Sequence, residues 1–222
     1  MTRKTVIVIT LCLTVLVQAQ EQRKPPRETW NEVFTQRQGR EFPYNKFLAE
    51  TIKGRKPGKA LDIGMGEGRN ALFLAAQGWE VTGFDISDVG VKLAQEEARK
   101  RGLKLEALVE DVDRFDYGKE RWDLVVGMYM HRMITRNANK IIGSLKPGGA
   151  IVIEGFHRDI SGEALTGGPL GYQTNELLKA FDGLRVLYYE DTIAAADWGR
   201  GQPKSPIVRF LARREQAAGD SR

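Results

Sequence analysis

Two acidic residues accompany a glycine-rich turn in the first half of the chain. The stretch ALDIGMGEGRNALFLA, residues 60–75, has an apolar run, three glycines at every second position from Gly64 to Gly68, and then a helical pattern. A strand, a tight turn and a helix in this order hold a ligand at the N-terminus of the helix. Asp62 precedes the turn and Glu67 lies within it. The ligand must therefore tolerate two carboxylates.

The charge and spacing of this turn discriminate among three ligands: a dinucleotide, a nucleoside triphosphate and S-adenosylmethionine (SAM). The dinucleotide fingerprint G-x-G-x-x-G requires a third glycine at the position of Arg69, and the P-loop pattern is absent. A diphosphate would face Asp62 and Glu67, whereas the sulfonium and ammonium groups of SAM would be attracted by them. Glu67 alone is equally explained as a first-turn acid on the helix dipole. The turn as a whole favours SAM.

Further acids follow the next two predicted strands. Asp85 ends the strand WEVTGFD, where a carboxylate can accept hydrogen bonds from both hydroxyls of a ribose. Asp111 follows the strand LKLEALVE and can accept from an adenine amino group, with Asp113 and Asp116 as near alternatives. Because the carboxyl ends of parallel strands share one edge of a sheet, we expect these acids at one site.

The elements that position these acids alternate between strand and helix. This alternation predicts an α/β fold with a mostly parallel sheet and helices on both faces. We expect helices from Glu67 to Gln77 and from Ser87, as N-cap, to about Arg101. The last two strands are separated by a loop, Thr192 to Lys204, without a helix, so they should pair antiparallel at an edge.

The ordered motifs LDIGMGEGRNALFLA, VTGFDIS, VEDVDRFD, WDLVVGMYMH and LKPGGAIVIEGF resemble those of class I SAM-dependent methyltransferases. The D-x-G-x-G-x-G-R-N form is most similar to the small-molecule branch that includes the tellurite-resistance methyltransferases. The resemblance covers about residues 45–213. It implies a Rossmann-like, doubly wound, seven-stranded sheet with an antiparallel last strand, and SAM as cofactor. The cofactor-binding residues that it implies are Asp62, Gly64, Met65, Gly66, Gly68, Asp85, Ile86, Asp111, Val112 and Met128.

Methyl transfer needs an acceptor held in line with the sulfonium methyl, and a general base only if the acceptor must lose a proton. His131, in GMYMHRM after the fourth strand, is the candidate base, with Tyr129 beside it, although His131 can equally be structural. Two loops, Ser161 to Tyr172 and the one containing Trp198 and Arg200, are interpreted as a lid, or else as ordinary surface loops. The candidate substrate-binding residues are His157, Arg158, Tyr172 and Trp198.

Two missing features limit the class of methyl acceptor. The [Asn/Asp]-Pro-Pro-Tyr segment, which the amino-group methylases of adenine and glutamine share, is replaced by GMYM, and a nucleic-acid recognition domain is not apparent. We therefore expect a small-molecule acceptor and no nucleic acid. The alternatives are a SAM- or S-adenosylhomocysteine-binding module without catalysis and, third, a Rossmann-type NAD-dependent oxidoreductase.

The N-terminus differs from the rest of the chain. Arg3 and Lys4 precede an apolar run of 12 residues, Val6 to Val17, which is typical of a signal peptide and shorter than the roughly 20 residues of a membrane span. We expect residues 1–19 to be a signal peptide or short anchor, 20–28 a linker, 29–215 the domain and 216–222 a disordered tail. Cleavage would imply export, and retention a cytoplasmic or membrane-anchored protein, with no stable membrane span.

Cleavage would also change the charge and the cysteine content. The net charge of +5 in 222 residues would fall to +3 with the loss of Arg3 and Lys4, which is a weak signal for nucleic acid. The single cysteine, Cys12, would be lost as well, which excludes disulfides, thiolate metal sites and a cysteine nucleophile. No metal site is expected, and the oligomeric state is left open.

Overall fold

A computed structural model describes residues 24–40, 42–160, 162, 164–198 and 204–216. The predicted signal peptide or anchor, the first residues of the predicted linker and residues 217–222 of the predicted tail lie outside the described residues. Within the described ranges, no helix combines the length and hydrophobicity that crossing a membrane requires.

The described residues form seven helices and seven strands. The helices are α1 (Pro26–Arg37), α2 (Lys46–Ile52), α3 (Arg69–Ala76), α4 (Asp88–Arg101), α5 (Arg132–Arg136), α6 (Ala138–Ser144) and α7 (Glu176–Ala180). The strands are β1 (Lys59–Ile63), β2 (Glu80–Asp85), β3 (Leu105–Val109), β4 (Trp122–Met128), β5 (Leu145–Phe156), β6 (Arg185–Ala194) and β7 (Ser205–Arg213).

All seven strands belong to one sheet in the order β3-β2-β1-β4-β5-β7-β6. The first five strands in this order are parallel, and β7 pairs antiparallel with both β5 and β6. The predicted α/β fold, its seven strands and its antiparallel last strand are therefore confirmed. Asp62 lies opposite Gly83 and Asp85 lies opposite Val109, so the strand-end acids share one edge of the sheet.

The sheet is buried between two apolar layers. Alternate residues of a strand point to opposite faces, so Leu61 and Ile63 pack with α6 and α7, while Ala60 packs with α2, α3 and α4. The same alternation places Val125 on the first face and Leu124 on the second. Two covered faces explain why the central strands are nearly continuous apolar runs.

Capping residues decide where the two helices beside the site begin. Ser87 accepts a hydrogen bond from the backbone N–H of Gly90 at 3.0 Å and is the N-cap of α4, as predicted. The helix expected from Glu67 begins instead at Arg69, because Gly68 is its N-cap in the left-handed conformation, at a φ of 82°. A helix cannot continue through that backbone geometry, so Glu67 lies in the turn.

Four other boundaries differ from the expectation. Helix α1 begins at Pro26, inside the predicted linker, because proline is favoured in the first helical turn. The short helix α5 was not predicted. Strand β5 begins at Leu145 and includes Pro147. Strand β6 continues to Ala194 through its pairing with β7, which shortens the predicted loop between them.

Candidate active site

A cavity of about 400 Å³ opens at the carboxyl ends of the parallel strands. Its wall is formed by the glycine turn after β1, the ends of β2 and β3, the segment after β4, one face of α1 and parts of two loops. Most of the predicted cofactor residues line it: Asp62, Gly64, Met65, Gly66, Asp85, Ile86, Asp111, Val112 and Met128. Ligands of open α/β sheets bind in this position.

The glycine turn brings backbone, rather than side chains, to the cavity. Gly64 and Gly66 have φ values of 66° and 57°. A Cβ on Gly64 would lie 2.0 Å from Sδ of Met130, and a Cβ on Gly66 would lie 2.7 Å from the ring of Phe34. Both glycines are therefore required by conformation and by space.

Asp62 carries an unsatisfied carboxylate oxygen at the base of this turn. The residue is 2% exposed, and its Oδ2 has no hydrogen-bond partner among the described residues. Burial raises the pKa of Asp62 to about 7, and the charge of nearby Arg69 opposes that shift. A buried acceptor without a partner is costly, so this position is suited to a ligand that donates a hydrogen bond or carries a positive charge.

Asp85 fixes the turn and still has acceptor capacity. Its Oδ2 accepts from the backbone N–H of Gly66 at 2.9 Å, and its Oδ1 accepts from that of Ser87 at 2.8 Å. Burial raises the pKa of Asp85 to about 6, while these hydrogen bonds oppose the shift. Each oxygen retains a lone pair, which allows a pair of vicinal hydroxyls to donate to it.

Asp111 is half-buried in the cavity wall beyond β3. Its Oδ1 accepts from the backbone N–H of Asp113 at 2.8 Å, which fixes the side chain in a local turn. Asp113 instead points to Arg136 and Asn137, which hold the pKa of Asp113 below its usual range. Of these two acids, Asp111 is the one that lines the cavity.

Tyr129 and His131 follow β4 with strained backbones. Their φ values are 60° and 40°, a region that non-glycine residues adopt at an energetic cost and chiefly at functional sites. Both side chains line the cavity. The Tyr129 hydroxyl donates to Oε1 of Glu154 at 2.9 Å and accepts from the backbone N–H of Asp197 at 3.2 Å. Burial and the charge of Glu154 raise the pKa of Tyr129 well above its usual value.

His131 is held by the backbone of β5. Its Nε2 accepts from the backbone N–H of Phe156 at 3.1 Å, so the neutral ring carries its proton on Nδ1. Burial, together with the charge of Arg158, lowers the pKa of His131 to about 4. The lone pair that a general base needs is therefore already occupied, and this geometry argues against the predicted catalytic role of His131.

An aromatic cluster forms part of the cavity wall. Trp30 and Phe34, one turn apart on α1, stack at 5.9 Å, and Trp198 lies 6.2 Å from Trp30 and 6.3 Å from Tyr129. The Arg37 guanidinium lies 4.2 Å from the Trp198 ring. Trp198 lines the cavity, and so do Ala164, Thr166, Gly167 and Pro169 of the other predicted loop. Arg200, Ser161 and Glu163 lie outside the described residues.

Three predicted substrate residues do not line the cavity. The backbone N–H of Tyr172 donates to the carbonyl of Phe156, and that of Arg158 donates to the carbonyl of Tyr172, each at 2.8 Å. His157 lies within 3.2 Å of Thr174 Oγ1. These contacts attach the segment around Tyr172 to the end of β5 behind His131, whose ring is 5.2 Å from that of Tyr172. The predicted substrate role of His157, Arg158 and Tyr172 therefore lacks geometric support.

Gly68 also lies away from the cavity. A Cβ on Gly68 would approach Cβ of Ala94 to 2.8 Å, so this glycine lets α3 and α4 pack closely. The structure indicates a role for Gly68 in helix packing rather than the predicted role in contacting a cofactor.

Several cavity residues were not predicted from the sequence. They are Pro26, Trp30 and Phe34 of α1, Glu110 after β3, and Met130, Arg132, Met133 and Arg136 after β4. The i, i+4 spacing of Trp30 and Phe34, in a helix whose other residues are mostly polar, was a usable signal. No comparable pattern marks the others, because they are single residues in short segments.

Comparisons with known proteins identify the domain. Residues 60–149 match the family described as "Methyltransferase domain". These residues therefore belong to a methyltransferase domain.

Individual relatives agree with this assignment. The chain is 29% identical to "Probable S-adenosyl-L-methionine-dependent methyltransferase TehB" of Haemophilus influenzae over 40% of its own length and 31% of that protein. It is 25% identical to "Ribosomal protein L11 methyltransferase" of Agrobacterium fabrum over 69% of its own length and 49% of that protein. The chain thus spans about half or less of these curated relatives.

A solved structure supports the fold. TehB from Haemophilus influenzae superposes with a TM-score of 0.68 at 20% identity, covering 84% of this chain and 67% of that one. At this identity the likeness concerns the fold, and the sheet order described above agrees with it.

Proposed function

We propose that this methyltransferase domain binds SAM in the cavity and transfers its methyl group to a small-molecule acceptor by in-line displacement. The observation that carries the proposal is that three strand-end carboxylates, Asp62, Asp85 and Asp111, line one cavity. SAM combines an ammonium group, a ribose diol and an adenine amino group, and each of these donates to a carboxylate. When bound, SAM supplies a methyl group on a positively charged sulfur.

The residues present fit that group. The unpartnered Oδ2 of Asp62 is suited to the ammonium, and the spare lone pairs of Asp85 are suited to the ribose hydroxyls. Asp111, with Ile86 and Val112 beside it, is suited to the adenine, and Met128 to the sulfonium side. The cation at the turn, Arg69, is neutralised by Asp197, so the turn retains a negative character that disfavours a diphosphate.

The size of the cavity supports a small acceptor. Small-molecule sites measure roughly 300–1,000 Å³, and this cavity of about 400 Å³ must hold cofactor and acceptor together. Trp30 and Trp198, whose rings lie 6.2 Å apart, line it and suit it to a small apolar acceptor rather than to a folded macromolecule. Similarity to TehB is consistent with this proposal, whereas the name of the L11 relative refers to a protein acceptor.

The test is calorimetric binding of SAM and S-adenosylhomocysteine to the full chain and to Asp85→Asn and Asp85→Ala. We expect micromolar binding by the wild type and a loss of at least about 100-fold in Asp85→Ala, because two hydrogen bonds to a carboxylate contribute roughly 1.5–3 kcal/mol each. Asp182→Ala, an exposed acid distant from the cavity wall, is the control and should bind normally. Absence of binding by wild-type protein with a cooperative thermal transition would refute the proposal.

A further inference from the structure

The acceptor half of the cavity differs in charge from the cofactor half. Among the described lining residues, every carboxylate comes from the end of one of the first three strands or from the turn that follows it: Asp62, Glu67, Asp85, Glu110 and Asp111. The segment after β4 contributes the ionisable groups Tyr129, His131, Arg132 and Arg136. The lining residues of α1 and of the 164–169 loop add no ionisable group. Among the described lining residues, the acceptor half therefore contributes cations and no carboxylate that could serve as a base.

Neither Tyr129 nor His131 is free to accept a proton. The Tyr129 hydroxyl already donates to Glu154, whose carboxylate also accepts from Nδ2 of Asn45 and from Nε of Arg209, each at 2.7 Å. Protonating Glu154 would break its buried ion pair with Arg209. The Nε2 lone pair of His131 is occupied by the backbone N–H of Phe156.

The acceptor wall is also apolar. The segment after β4 contributes the apolar side chains of Met128, Met130 and Met133 to the cavity wall, with Sδ of Met130 next to Gly64. The attack of a neutral amine on a sulfonium conserves the total charge, whereas the attack of an anion cancels two charges. An apolar wall favours the second reaction, because opposite charges that disappear in the product are costly to keep in apolar surroundings.

Resting on the proposed function, we propose that the acceptor is a small thiol of low pKa that enters as its thiolate. The thiolate lone pair forms the new bond to the methyl carbon, the carbon–sulfonium bond breaks, and its electron pair stays on the sulfur of S-adenosylhomocysteine. A neutral thioether results and no proton is released, so no base is required. A thiolate is large and weakly hydrated, so moving it from water to this apolar site costs less free energy than moving a carboxylate or a phenolate there.

Arg132 is the residue that selects for the negative charge. It is exposed at the mouth of the cavity, and its Nη1 lies 3.5 Å from the position that a Cβ on Gly168 would take, so the guanidinium reaches from α5 to the 164–169 loop. Arg136, by contrast, is paired with Asp113. A cation at a rim raises the local concentration of an anion and lowers its Kd without taking part in the bond change.

The first experiment measures ionisation without turnover. 4-Nitrothiophenol is titrated against the full chain saturated with S-adenosylhomocysteine, and the absorption band of its thiolate is recorded from pH 4 to 8. We expect binding of the thiolate form, with the pKa of the bound thiol lowered. Arg132→Gln should raise its Kd about 3- to 10-fold, Arg132→Lys should restore most of the affinity, and Arg101→Gln, at the far end of α4, should bind as the wild type does.

The second experiment follows formation of S-adenosylhomocysteine from SAM with aryl and alkyl thiols of graded pKa. We expect kcat/KM to rise with pH and level off at the pKa of each thiol, and Tyr129→Phe or His131→Gln to leave those midpoints in place. Loss of a general base costs roughly 10²–10⁴-fold, so a loss of that size in either variant would overturn the inference. A midpoint shared by all acceptors, or a preference for neutral amines or alcohols, would overturn it too.

These outcomes separate the inference from the proposed function. SAM binding with turnover of neutral acceptors, or with no turnover of any thiol, rejects the thiolate acceptor and leaves cofactor binding intact. A folded chain that fails to bind SAM rejects both.

Discussion

The carboxylate of Asp197 lies 3.0 Å from Nη2 of Arg69, the first residue of α3. The other carboxylate oxygen accepts from Nδ2 of Asn45 at 2.6 Å, and the backbone N–H of Asp197 donates to the Tyr129 hydroxyl. Asp197 thus connects the helix after the glycine turn to the segment after β4. This contact joins the two halves of the cavity, and Asp197 precedes Trp198 of the cavity wall.

Replacing Asp197 should weaken cofactor binding. In Asp197→Asn the Arg69 guanidinium would lose its counter-charge while still lining the cavity, so it would repel the positively charged SAM. We expect the Kd for SAM to rise about tenfold by calorimetry, and S-adenosylhomocysteine, which lacks the sulfonium charge, to be affected less. Equal losses for both ligands would contradict the electrostatic explanation and indicate a distorted turn instead.

Asp197 is a site residue that could not be predicted from the sequence. The strand-end acids were predictable, because hydrophobic runs locate the strands and a parallel sheet brings their ends to one edge. Asp197 reaches the same edge only because β6 and β7 form an antiparallel pair whose connection returns over the site. The sequence around Asp197 carries no pattern that specifies this return.

Residues that follow a strand show a second limit of prediction from the sequence. His131 and His157 each come directly after or near the end of a predicted strand, but only His131 faces the cavity. The difference arises from the positive φ values of Tyr129 and His131 and from the pairing of Tyr172 with the end of β5. Both are tertiary effects, which periodicity within a strand does not encode.

Gly64 should be required for binding through space as well as conformation. Gly64→Ala places a methyl group where Sδ of Met130 lies, so we expect the Kd for SAM to rise at least tenfold. The double variant Gly64→Ala/Met130→Ala removes that clash and should recover part of the affinity, leaving about 1–2 kcal/mol of left-handed backbone strain. Calorimetry on the single and double variants measures the coupling. Additive losses would show that the two residues do not compete for this space.

Gly68 should matter for stability rather than for binding. Gly68→Ala combines a left-handed backbone with a close contact to Ala94, so we expect the free energy of unfolding to fall by about 2–4 kcal/mol in urea. Gly102→Ala is the matched control, because Gly102 has a φ of 65° and no atom within 4 Å of the position that an added methyl group would take, and should cost about 1 kcal/mol. Equal losses in the two variants would exclude a packing role for Gly68.

Cofactor affinity should depend on the ionisation of Asp62. The carboxylate binds a cation only when ionised, and in the free protein its pKa is about 7. The ionisation of Asp62 alone should therefore raise the affinity for SAM by roughly 20-fold between pH 5.5 and 7.5, and this contribution levels off above its pKa. Binding should also release a proton near pH 6.5, which calorimetry in two buffers of different protonation enthalpy detects. Asp62→Asn should bind more weakly and keep only the dependence near pH 6 that Asp85 contributes.

The raised pKa of Asp62 predicts the opposite pH dependence for the stability of the protein without ligand. Because the pKa of Asp62 is raised above its unfolded value of 3.8, the folded chain binds more protons than the unfolded chain between about pH 4 and 7. The free energy of unfolding should fall as pH rises through this window, and Asp62→Asn should remove that fall. The variant is then more stable than the wild type above pH 7, by at most roughly 4 kcal/mol for a shift of about three pKa units. Urea unfolding of both proteins without ligand at pH 5 and pH 8 tests this, and a variant equally destabilised at both values would show that Oδ2 has a structural partner after all.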